Sequence, residues 1–134
     1  MFTKFKDQNG IAAVELAILL PVLTLILFGI IEFGLLLYNK AVITNASREG
    51  ARAGVIYQPR ATYDDIENIV NNYCKAHLIT FASTSPDPEV VTSSTCAKTG
   101  DELVVTVTYT YNFLTASLFS STLDLEGETV MHCE

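Results

Sequence analysis

From Ile11 to Leu37 the chain is apolar apart from the polar side chains of Glu15, Thr24 and Glu32. As a helix rising about 1.5 Å per residue, this stretch would extend roughly 40 Å, enough for a tilted crossing of a bilayer. Pro21 removes one backbone donor and frees the carbonyl of Ala17, a break that membrane helices tolerate. Beyond the apolar run the helical pattern continues to about Tyr57, and Ala46, Gly50 and Gly54 recur every four residues. Such a stripe of small residues lets another backbone approach closely, whether from the chain's own domain or from a second subunit.

Gln58-Pro59-Arg60 ends this helix. Thr62 followed three residues later by Asp65 is an N-capping pattern, and Ile66, Ile69, Val70, Tyr73 and His77 then share one face. A second helix over about 62–79 is predicted. His77 lies in its last turn near Lys75 and reads as structural, because a cation there suits the helix dipole. Ser83 to Pro88 forms a linker, and three strand-like stretches follow at roughly 89–97, 102–112 and 123–133. In the second, Leu103, Val105, Val107, Tyr109 and Tyr111 alternate with more polar neighbours. In the third, Leu123, Leu125, Met131 and Cys133 oppose Asp124, Glu126, Glu128, His132 and Glu134. Lys98-Thr99-Gly100-Asp101 is the turn between the first two strands, and the Phe113–Thr122 connection, with Leu114, Leu118 and Phe119, is a candidate apolar contact surface.

The expected fold class is α+β: a long N-terminal transmembrane helix, then a small head with one further helix and a three-stranded, mainly antiparallel sheet. The expected divisions are 1–10 as a polar leader, 11–57 as the transmembrane and extended helix, and 58–134 as the head. A length of 134 residues leaves room for one small domain beside the apolar helix.

Charge and chemistry narrow the function classes. The formal net charge is −7, and no run of Lys or Arg is present. A nucleic-acid partner is therefore not expected, because phosphate binding needs clustered cations. Two histidines and three scattered cysteines give no zinc-ligand spacing, and no nucleophile motif or phosphate loop is found. No enzyme activity, metal or cofactor is expected. Asn45-Ala46-Ser47 fits a glycosylation acceptor, a tripeptide that also arises by chance.

Cys74, Cys96 and Cys133 all follow the apolar segment, which fits a head in an oxidising compartment holding one disulfide, with three buried thiols as the alternative. If the sheet is a simple meander, the ends of strands one and three stand about 9.5 Å apart, beyond the roughly 7 Å reach of a bridge. Cys96 with Cys133 is then expected only if strand three lies next to strand one. Otherwise Cys74, on the apolar side of the second helix, is the expected partner of one of them.

Glu15 stands at the edge of a segment able to cross a membrane, where an unpaired charge is costly, and it follows Gly10 by five residues. This arrangement resembles the leader of type IV pilins and pseudopilins. More of the chain, with Glu15, Pro21, Phe28-Gly29-Ile30-Ile31-Glu32-Phe33-Gly34 and Asn45-Ala46-Ser47-Arg48-Glu49-Gly50-Ala51-Arg52, resembles the TadE-like family of tight-adherence (Flp) pilus systems over residues 10–54. Residues 60–134 match in outline, ending in a Met131–Glu134 segment of the expected kind. Leu16 stands where major Flp pilins carry Tyr, and the chain is long for one, so the resemblance is to a minor pseudopilin.

The resemblance implies cleavage of the Gly10–Ile11 bond by a prepilin peptidase and docking through Glu15, with Glu32 either interfacial or paired with a neighbouring subunit. The implied partners are that peptidase, other pilin and pseudopilin subunits, an inner-membrane assembly platform and the lipid bilayer. The implied location is the bacterial inner membrane, single pass, with the N-terminus cytoplasmic and the head outside, then the pilus or cell surface. Arg48 and Arg52, after the segment, run against the usual excess of cations on the cytoplasmic side. Two other readings share these features: an uncleaved single-pass protein with a ligand-binding head, and a minor pseudopilin of a type II secretion apparatus.

Overall fold

A computed structural model describes residues 7–56, 61–81, 87–93, 96, 98–114 and 122–134. Helix α1 spans Asp7–Val55, α2 spans Tyr63–His77, and strands β1 (Glu89–Thr92), β2 (Glu102–Asn112) and β3 (Thr122–His132) form one antiparallel sheet in the order β1-β2-β3. The fold class is α+β, with a long apolar N-terminal helix, one further helix and a three-stranded sheet. The chain divides into two compact units, Met1–Gly34 and Leu35–Glu134. Residues 83–86 of the expected linker, and Leu118 and Phe119 of the last connection, lie outside the described residues.

In the first unit α1 runs through Pro21 without interruption. One turn further on, Thr24 returns its hydroxyl to the Leu20 carbonyl at 2.8 Å, a local satisfaction open to a hydroxyl in an apolar setting. Large apolar side chains from Ile11 to Phe33 are exposed all round the helix. Within Gly10–Val55 the helix is long and apolar enough to cross a membrane.

In the second unit the core is built from alternate residues of β2. Leu103, Val105, Val107, Tyr109 and Tyr111 are buried, as their period-2 spacing predicts. Ile66, Val70 and Cys74 of α2, spaced by four, join them, together with Val90, Leu125, Ile43, Ala46 and Ala51. Thr62 caps α2 reciprocally. Its hydroxyl accepts from the Asp65 N–H at 3.3 Å, while the Asp65 carboxylate accepts from the Thr62 N–H at 2.9 Å and from the Thr62 hydroxyl at 2.7 Å. These donors hold the Asp65 carboxyl below its ordinary pKa, the backbone N–H contributing most. His77 stacks on Tyr73 with ring centres 4.4 Å apart, and its Nδ1 lies 2.9 Å from the Tyr73 carbonyl.

Two expectations require correction. The first strand stops at Thr92 instead of reaching residue 97; Ser93 donates to Val104 at 3.1 Å, after which no further strand residue is described. The sheet is the simple meander, yet Cys96 pairs with Cys133, their Cα atoms 5.7 Å apart. The two-spacing separation would hold only if Cys96 stayed in the ladder of β1. It lies four residues past the end of that strand, so the constraint does not apply to it.

Candidate functional site

The N-terminal candidates sit on one regular helix. Gly10, Ile11 and Glu15 all lie within α1, which begins at Asp7 and takes in the Gly10–Ile11 bond. Ile11 and Glu15 are four residues apart and so occupy neighbouring positions on one face. Both are exposed, as are Val14 and Ile18 on the adjoining turn, and a Cβ added to Gly10 would meet nothing. Glu32 differs. It is only 8 % exposed and is engaged with another group of its own chain. Seventeen residues separate it from Glu15, about 25 Å along a helix, so the two carboxylates do not form one site.

The small residues of α1 fall inside the head unit. Ala46, Gly50 and Gly54 are buried. A Cβ on Gly50 would lie 2.7 Å from Val70 Cγ2 and 3.3 Å from Ile66 Cγ2, while one on Gly54 would run into Leu103 and come within 2.9 Å of Ile66. The stripe therefore serves contact with α2 and β2 of the same chain. Gly127 of β3 faces the same helix at its main chain: an added Cβ would stand 3.0 Å from the Ile43 carbonyl carbon and oxygen and from the Thr44 nitrogen. Backbone meets backbone there.

Three further features of this packing join residues distant in the sequence. Asn39 is buried and holds the chain leaving α2 at both amide atoms, its Nδ2 donating to the Ile79 carbonyl at 2.7 Å and its Oδ1 accepting from the Ile79 N–H at 3.1 Å. Ser47, also buried, donates to the Thr44 carbonyl at 2.9 Å and shares a 2.7 Å hydrogen bond with the Thr129 hydroxyl. Lys40 donates through Nζ to the backbone carbonyl of Glu126 on the edge strand. A solitary glycine inside an alternating strand does signal close backbone approach, and Gly127 could have been found that way. Asn39 and Ser47, placed among ordinary helix residues, carried no such mark.

The cysteines separate by role. Cys133 closes the turn at the start of β2: its N–H donates to Asp101 at 2.8 Å and its carbonyl accepts from Gly100 at 2.9 Å, Gly100 having φ +93°. Cys74 is a buried free thiol, and burial pushes its pKa up to about 11. A hollow of about 310 Å³ lies between Gly54, Ala61, Thr62, Tyr63, Ile66, Cys96 and Leu103. Its lining is mainly apolar, and its two hydroxyls already donate, Thr62 to Asp65 and Tyr63 to the Val90 carbonyl at 2.7 Å. Among the described residues no three His, Cys, Asp or Glu side chains converge to hold a metal.

The exposed carboxylate at the start of the apolar helix and the small-residue stripe at its end thus lie on one continuous element. Residues 10–52 match the family model of TadE-like proteins. The TadE-like segment begins at Gly10 and lies wholly within α1. No curated protein and no solved structure matches the chain. The TadE-like match suggests a protein associated with a tight-adherence (Tad) pilus, a family that implies contact with other pilus components. One N-terminal apolar helix fits a single-pass membrane protein of such a system.

Proposed function

We propose that the chain is a minor pseudopilin, cut after Gly10 by a prepilin peptidase and then incorporated into a tight-adherence pilus or used to prime its assembly. The observation that carries this reading is the position of the TadE-like match: it opens at Gly10, with Glu15 exposed on the first turns of an apolar helix. The Cys96–Cys133 bridge supports a head outside the cytoplasm, because disulfides persist in oxidising compartments. Lys4 and Lys6 support a cytoplasmic leader.

Cleavage would release a new α-amine on Ile11, protonated near neutral pH, at the edge of the hydrocarbon layer. A carboxylate from the adjacent subunit is its natural partner as subunits stack, and Glu15 takes that role. Docking is assigned first to Glu15, which is exposed, whereas Glu32 is only 8 % exposed. Because Gly10 lies in the first turns of α1, the peptidase must open that turn before it can cut. Glycine makes the opening inexpensive, being the weakest helix former after proline.

Gly10→Val is expected to leave the full-length precursor in the membrane. Glu15→Gln keeps the shape and removes the charge, so that protein is expected to be cut normally yet to be missing from sheared pili. Mass spectrometry of the protein from its native host reads the first step directly. A chain that keeps all of residues 1–10 would overturn the pseudopilin reading in favour of an uncleaved single-pass protein, and a Glu15→Gln protein recovered in pili at the parental level would remove the docking role of Glu15.

A further inference from the structure

The face of the sheet turned away from the core is open and acidic. Register places Glu89, Thr108 and Glu126 in one row and Val91, Thr106 and Glu128 in the next, and Asp124 accepts from the Thr110 hydroxyl at 2.7 Å in the row beyond. Glu89, Asp124, Glu126 and Glu128 are all exposed. No Lys or Arg stands in these rows. Lys40 reaches Glu126 through its backbone carbonyl, not its side chain.

The same unit carries the opposite charge on its other side. Arg48 and Arg52 are exposed on α1, with Glu49 exposed beside them. Gly50 and Gly54 of that helix pack toward Val105 and Leu103, the inward residues of β2, so α1 lies across the core face of the sheet. The carboxylate rows lie on the face behind it. One chain therefore cannot bring the two charged surfaces together, but two chains can.

Spacing agrees with charge. Arg48 and Arg52 are separated by about 6 Å along a helix, and Glu126 and Glu128 by about 6.8 Å along a strand. We propose that the outer sheet face carrying Glu89, Asp124, Glu126 and Glu128 docks the Arg48–Arg52 stripe of a second copy of this chain. Two different surfaces meet in such a contact, so each pair leaves one of each unused and association continues head to tail, into a ring or an open filament. Exposed ion pairs add little singly and act here by steering and fixing the orientation of the heads. The proposal concerns the Leu35–Glu134 unit and stands apart from the docking assigned to Glu15.

The test uses the full chain in neutral detergent micelles, with association followed by sedimentation. Self-association is expected at about 0.01 M salt, where charges act over about 30 Å, and is expected to fall at least tenfold by about 0.15 M, where they act over about 8 Å. Contact through the apolar helices alone would not respond in this way. R48E/R52E and E126R/E128R should each abolish association, and their equimolar mixture should restore it, because each reversed surface then fits the other's. All four positions are exposed, and both variants keep a net negative charge, so neither misfolding nor bulk attraction is expected to imitate the result. Unchanged thermal midpoints verify the fold. Parental association in either variant, or a mixture of folded variants that stays dissociated, would overturn the proposal.

Discussion

Helix α1 belongs to both units of the chain, and its two halves obey different rules. Between Ile11 and Phe33 apolar side chains point in every direction and are exposed. From Asn39 to Gly54 the buried positions are 39, 42, 43, 46, 47, 50, 51 and 54, the three-and-four spacing of a helix with one face in a core. The first half has no preferred side because lipid would offer it the same surroundings all round. The second half must choose a side, since one face meets a sheet and the other meets water. A single helix can thus be specified by composition at one end and by periodicity at the other. Lesions in the head should therefore leave the apolar half helical in detergent.

The largest effect is expected from the disulfide. Cys96 and Cys133 are 37 residues apart, and closing a loop of that size stabilises by about 4 kcal/mol through the entropy of the unfolded chain. Cys133→Ser should lower the melting temperature of the head by about 15 °C or more, while far-ultraviolet circular dichroism in detergent retains the helical signal of the apolar half. Loss of both signals together would break the comparison. Peptide mapping without reduction should find Cys74 as a free thiol, and alkylation of Cys74 at pH 8 should proceed only after denaturant is added, because burial holds the thiol neutral.

Next in size is Gly127→Ala. The added methyl group would press on the backbone of Ile43 and Thr44, which cannot move aside as a flexible side chain can, and a cost of about 1–3 kcal/mol is expected in urea unfolding of the head. A neutral outcome would mean that the helix and β3 stand further apart than 3.0 Å contacts require.

The smallest effect is at the start of α2. The Asp65 carboxyl has a lowered folded pKa, so its contribution is present above the unfolded value of 3.8 and is lost as pH falls through the folded value. Thermal midpoints measured from pH 5 down to pH 2 should decline slightly, and Asp65→Asn should reduce the decline that belongs to this residue. An identical pH profile in the variant would show that the cap contributes nothing that titrates.

How much of this was legible in the sequence depended on whether a residue's neighbours were local. The bounds of β2 followed from alternation over eleven residues, and the Thr62–Asp65 cap from two positions three apart, since both are decided within one element. β1 ends at Thr92, short of the expected 97, although Thr92-Ser93-Ser94-Thr95 contains no Gly or Pro to mark the end in the sequence. That error carried into the disulfide, where Cys96 was given the position of a strand residue. Asn39 with Ile79 and Ser47 with Thr129 join residues 40 and 82 positions apart, and no local period reports such pairs. Of the N-terminal candidates, Gly10 and Glu15 were singled out by their resemblance to a leader, whereas the burial of Glu32 within its own chain had no signal in an otherwise uniform apolar run.

The close approach at Gly127 also bears on how the chain finds its strand alignment. Sliding β3 against β2 by one residue would turn its apolar side chains outward and be rejected by solvent. A slide by two keeps the in-and-out order of β3, so alternation alone tolerates it. It would, however, bring Leu125 or Thr129 over the Ile43 carbonyl in place of Gly127, where a Cβ has no room. A missing side chain thus works as a key: it admits one alignment of β3 and refuses the even-numbered errors that the hydrophobic pattern would accept.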